Sequence, residues 1–109
     1  MGAVMMRGGG ASAKTGMAAF SLNDTTPTFE IPMEGAPSGV LVWVSVENIA
    51  PIVLTQSYKT RTLIIGTNSG WAVASLDETG SALILSRSWD GYNSRYTNQS
   101  GTVFWLAIP

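Results

Sequence analysis

The residues best suited to chemistry lie together near the C-terminus. Within the polar stretch Ser86–Gly101, Trp89, Asp90, Tyr92, Asn93, Arg95, Tyr96 and Asn98 combine flat aromatic faces with carboxylate, amide and guanidinium groups. Sugars bind such mixtures: their apolar C–H faces stack on Trp or Tyr while fixed donors and acceptors read the hydroxyls. Protein interfaces are enriched in Trp, Tyr and Arg as well, and aromatic pairs also stabilise strand pairs without any ligand. The stretch therefore reads as a contact loop for a glycan or a protein subunit, or as a structural hairpin.

Other chemistry is poorly supplied. The chain has no His and no Cys, which removes the usual general base, thiol nucleophiles and soft metal ligands. Carboxylates are left. Asp77 and Glu78 are neighbours in a turn-like Asp-Glu-Thr-Gly sequence and Asp90 stands in the polar stretch, whereas a glycosidase needs two carboxylates facing each other across a cleft. Gly8 to Thr15 approaches a phosphate-binding loop, but Ala13 stands where the glycine before Lys14 belongs, and a strand-like segment follows where the motif opens a helix. The expectation is a non-enzymatic protein with no cofactor and no metal.

Composition points to association. Charged residues make up 12% of the chain and the net charge is −1, against about 25% charged residues in ordinary soluble domains. A surface so poor in charge resists association weakly, so copies of the chain or a partner are expected to cover part of it. The six basic residues are scattered from Arg7 to Arg95 and form no phosphate-neutralising patch, which argues against nucleic acid. The longest apolar runs, such as Val40–Val44, fall far short of the roughly 20 residues of a membrane span. Met1–Gly10 lacks the unbroken apolar core of a secretion signal, so the protein is expected either to stay inside the producing cell or to leave it by lysis or in a particle.

These residues need elements to position them. Gly2, Gly8, Gly9, Gly10 and Gly16 crowd residues Met1–Gly16, a costly segment to order alone, which reads as an arm ahead of a single domain over residues 17–109. Beyond it, segments of alternating polarity recur between turn signals, the mark of antiparallel strands. Strands are predicted at Met17–Leu22, Thr28–Met33, Gly39–Glu47, Pro51–Gln56, Thr60–Gly66, Trp71–Leu76, Ala82–Ser88 and Thr102–Ile108. Gly39–Glu47 is the clearest, with Val40, Val42, Val44 and Val46 on one face and Leu41, Trp43 and Ser45 on the other. Trp43, Trp71 and Trp105 are expected in the core or between sheets. Short strands, polar turns and no amphipathic helix together predict an all-β fold, an antiparallel β-sandwich, jelly-roll-like or otherwise, with a Gly-rich N-terminal arm.

The ending Val103-Phe104-Trp105-Leu106-Ala107-Ile108 resembles the last strand of H-type lectin domains and of small β-sandwich domains on bacteriophage tails and fibres. The resemblance covers about the final quarter of the chain. It implies a trimer or higher homo-oligomer and, on the lectin side, a sugar site nearest Trp89, Asp90 and Tyr96. The chain departs from the lectins in having no His beside Trp89 and a longer span between Trp89 and Trp105. Two functional expectations follow. The first is a structural virion protein, a phage tail, fibre or capsid-decoration component assembled in the host cytoplasm and contacting itself and other virion proteins. The second is an extracellular carbohydrate-binding module whose Trp89–Gln99 loop takes a host-surface glycan.

Overall fold

A computed structural model of the protein describes residues 13–44, 51–64, 71–90 and 94–109. These residues form β1 (Lys14–Leu22), β2 (Thr28–Pro32), β3 (Gly39–Val44), β4 (Ile52–Thr55), β5 (Thr60–Ile64), β6 (Trp71–Leu76), β7 (Ala82–Arg87), β8 (Trp89–Asp90), β9 (Arg95–Tyr96) and β10 (Gln99–Ile108). Two antiparallel four-stranded sheets, ordered β1-β10-β3-β4 and β2-β7-β6-β5, pack into a β-sandwich, and β8 and β9 make a separate small hairpin. No helix among the described residues is long and apolar enough to cross a membrane.

Strict alternation builds the core. Val40, Val42 and Val44 of β3 turn inward, as do Ala72, Ala74 and Leu76 of β6 and Leu83 and Leu85 of β7, all buried. They join Phe20 and Leu22 of β1, Ile31 of β2, Leu54 of β4, Leu63 of β5 and Val103 of β10 in one continuous cluster between the sheets. The small Ala72 and Ala74 beside large leucines let the facing layers interdigitate, as dense packing requires. Removing one of these leucines, for example Leu83→Ala, is expected to cost about 2–5 kcal/mol.

Several strand limits differ from the sequence reading. Residues 1–12, 45–50 and 65–70 lie outside the described residues, so most of the predicted arm and the ends of the Gly39–Glu47 and Thr60–Gly66 strands fall there. β1 begins at Lys14, which takes the last residues of the glycine-rich segment into the sheet. The reason is Gly16: it pairs with Trp105 across the ladder, and a Cβ there would land on the indole ring. Glycine costs backbone entropy in a strand, but here its bare backbone lets the Trp105 ring lie flat against β1.

The tryptophans also divide differently from expectation. Trp105 faces inward and packs against the core cluster. Trp43 and Trp71 do not: each is half-buried and alternates with buried neighbours, Val42 and Val44 in β3 and Ala72 in β6, so both stand on outer sheet faces. The Asp77–Gly80 turn forms as predicted. Gly80 takes φ 73° and its N–H donates to the Asp77 carbonyl at 2.9 Å, while Asp77 N donates to the Ala82 carbonyl at 3.0 Å.

Candidate functional site

Two surfaces stand out. The first is built around the β8–β9 hairpin. Trp89 pairs with Tyr96, and Asp90 with Arg95, in antiparallel register, so half of the predicted contact loop is a strand pair rather than a loop. Trp89 and Tyr96 remain 54% and 51% exposed, with ring centroids 5.0 Å apart and planes at 70°, an edge-to-face pair. Tyr92 and Asn93 lie outside the described residues. Asn98 sits apart, in a separate shallow depression with Ser21, Asn23, Gln99 and Ser100.

A residue that the sequence reading passed over anchors the hairpin. Arg87 ends β7 at the position after Leu83 and Leu85 on the inward face, paired with Ala72. Its side chain is only 13% exposed, and Nη1 donates to Asp24 Oδ1 at 2.6 Å. The guanidinium lies 4.9 Å from the Tyr96 ring centroid, a cation–π contact. Its Nε is buried without a hydrogen-bond partner among the described residues. Below the hairpin, Thr97 N donates to the Ser88 carbonyl at 3.0 Å and Arg87 N to the Pro27 carbonyl at 3.0 Å. Asp24, Arg87, Tyr96 and Trp89 thus form a chain of contacts from the β1–β2 turn to the hairpin, beside a cleft of about 390 Å³ lined by Pro27, Thr28, Ser86, Arg87 and Tyr96. The signal in the sequence was the 83, 85, 87 alternation, which aims an arginine inward; its partner Asp24 is 63 positions away and carries no local mark.

The second surface is the outer face of the β1-β10-β3-β4 sheet. Cross-strand register places Met17, Phe104 and Trp43 in one row and Thr15, Leu106, Leu41 and Val53 in the next, with Ile108 beyond. Phe104 and Trp43 stack at 5.9 Å with planes 15° apart. Met17, Val53 and Ile108 are 64%, 43% and 40% exposed. The remaining outward positions of these strands are Ala19, Ser21, Ser100, Thr102, Gly39 and Thr55, so the face carries no charge among the described residues.

The opposite outer face shows what a solvated surface of the same sandwich looks like. There the rows read Thr28–Ser86–Val73–Thr62 and Glu30–Ile84–Ser75–Thr60, with Trp71 beyond them, so Val73, Ile84 and Trp71 stand among threonines, serines and a glutamate. An antiparallel sheet with one wet face alternates apolar-in and polar-out; the second sheet keeps mostly polar residues and one charge on its outer face, while the first departs further, with no charge and a run of large apolar side chains. Contiguous exposed apolar area on a small domain marks a contact surface, and depletion of charge is the compositional sign of an interface centre.

Two acids, Glu34 and Asp77, are held by partners within the scaffold. Glu34 accepts a hydrogen bond and an ion pair from Lys14 Nζ at 2.6 Å, which holds its carboxyl below the usual carboxylate range. Asp77 loses some solvation, which raises its pKa, but N–H groups of Ser81, Ala82 and Gly80 and the Thr79 hydroxyl donate to it and the net result is a lowered value. Carboxylates committed to turn amides in this way order a loop rather than move protons.

Compared with known proteins, the chain matches no protein family, no curated protein and no solved structure.

Proposed function

We propose that the chain is a structural virion protein, a phage tail, fibre or capsid-decoration component, that works through contacts with its own copies and with neighbouring subunits. The observation that carries this reading is the uncharged apolar outer face around Met17, Phe104, Trp43, Leu106 and Leu41, set against the Thr- and Ser-rich face of the other sheet. A net charge of −1 opposes close packing of copies only feebly. The kind of assembly rests on the likeness of the terminal strand to phage tail and fibre domains, which also favours a trimer or higher oligomer. Light scattering on eluting fractions tests the reading: the wild type runs as an oligomer, and Phe104→Ser lowers its molar mass while far-UV circular dichroism stays β-rich. A wild type that stays monomeric at high concentration contradicts it.

A carbohydrate-binding role is the second reading, favoured by one observation: Trp89 and Tyr96 stand exposed side by side on the hairpin that Arg87 braces. A glycan array decides it. Sugar binding lost in Trp89→Ala with the fold intact supports this reading, and an array without signal for the wild type rejects it.

A further inference from the structure

Among the described residues the two sheets end in four strand edges, β1 and β4 in one and β2 and β5 in the other. An edge presents a row of unpaired N–H and C=O groups that templates another strand, and proteins blunt such edges with short strands, proline or charge. Three of the four are blunted. β4 has 4 residues and follows Pro51; β2 has 5, carrying Glu30 and ending at Pro32; β5 has 5 and carries Arg61.

β1 is built otherwise. It runs 9 residues, Lys14–Leu22, without proline. Its one charge is Lys14 at the very start, turned to Glu34. The side chains at its middle are Met17, Ala18 and Ala19, too small or too flexible to obstruct a neighbour. Among the described residues nothing pairs with its outer side.

We propose that β1 pairs antiparallel with β1 of a second copy about a two-fold axis centred within Met17–Ala19, joining two four-stranded sheets into one of eight strands. The occupant is a second copy because the strand complements itself. With the axis at Ala18, the two Ala18 residues face each other, Met17 faces Ala19 of the second copy, and Lys14 faces Leu22 of the second copy. The two lysines then lie at opposite ends of the seam, so no like charges meet. Antiparallel partners share a sheet face, so the inward residues Gly16, Ala18 and Phe20 stay inward on both sides. The outer row Trp43–Phe104–Met17 then continues across the seam into Ala19 and Thr102 of the second copy, extending the uncharged face. An isologous seam of this kind closes a dimer that further contacts of the apolar face build upon. The inference rests on the assembly reading above and names the contact that starts it.

Full-length protein tests it in two ways. Ala19→Lys places a charge on the edge, as natural edge strands do, and is expected to halve the molar mass measured by light scattering without lowering the melting temperature. The chain has no Cys, so single substitutions Met17→Cys, Ala18→Cys and Ala19→Cys report contact unambiguously. Residues directly opposite in an antiparallel pair are close enough to bridge with small adjustment, and under mild oxidation at least one of the three is expected to give a disulfide-linked dimer, while Thr62→Cys on the other sheet gives none. An unchanged mass for Ala19→Lys together with no crosslink at any of the three positions overturns the edge pairing. In that case a mass that still falls with Phe104→Ser leaves the assembly reading standing; a monomeric wild type removes both.

Discussion

Phe104 and Trp105 are adjacent aromatics on β10, and alternation sends them to opposite sides of the sheet. Their alanine variants should therefore fail in different ways. Trp105 packs against the core and covers Gly16, which has no side chain to collapse into the space left behind. A fully buried Trp→Ala change costs about 3–5 kcal/mol; Trp105 keeps some exposure, which brings the expected loss to about 2–3 kcal/mol. Phe104 makes its aromatic contact with Trp43 at 5.9 Å on the outer face, a stacked pair worth about 1 kcal/mol. In the separated monomer, Trp105→Ala should thus lose at least about twice the stability that Phe104→Ala loses. Urea unfolding followed by circular dichroism, on samples dilute enough to be monomeric, measures both. Light scattering at higher concentration should show the reverse order, with the molar mass lowered in Phe104→Ala and kept in Trp105→Ala as long as the variant is folded. A Phe104→Ala monomer destabilised as much as Trp105→Ala, or a Trp105→Ala variant that unfolds like wild type, would refute the assignment of inside and outside on this strand.

Gly80→Ala should destabilise more than Gly35→Ala. Both glycines have φ near 74°, but a Cβ on Gly80 meets the Gln56 amide while one on Gly35 meets open space; each backbone strain costs about 1 kcal/mol, and Gly80 adds the loss of Gln56 donating to the Pro37 carbonyl at 2.6 Å, all readable as melting temperatures. Stability should decline in acid through Asp77 and Glu34. Their folded pKa values lie below those of the unfolded carboxyls, so their contribution is complete above the unfolded values and is lost as pH falls through the lower folded ones. Urea midpoints taken downward from about pH 6 measure the slope, and Asp77→Asn should flatten it.

Much of the fold was legible because strand alternation is a local signal. Val40, Val42 and Val44 marked an inner face, Asp77–Gly80 marked a turn, and the spacing of turns pointed to a sandwich. What was not legible is what depends on pairing between distant segments. The row Met17–Phe104–Trp43 joins β1, β10 and β3, so no window of sequence contains it; the size of Trp43 suggests the core, while its parity with Leu41 sets it on the outer face. β1 was expected to start late because Gly16 resembles a break; only Trp105, at the other end of the chain, makes it a strand position. The aromatic stretch after β7 was recognised as a contact region, yet its brace, Arg87 with Asp24, depends on the β1–β2 turn meeting the end of β7. Asn98, grouped with Trp89 by nearness in sequence, is turned to another depression because Ser88 and Thr97 close the hairpin before it.

The account depends most on which outer sheet face the protein hides. Hydroxyl-radical labelling read by mass spectrometry, on one sample diluted across the assembly range, measures that directly. Met17, Leu41, Trp43, Val53 and Phe104 should lose labelling as concentration rises, while Val73, Ile84 and Trp71 on the other sheet keep theirs. Equal labelling of both faces at every concentration, or protection confined to the second sheet, would contradict it.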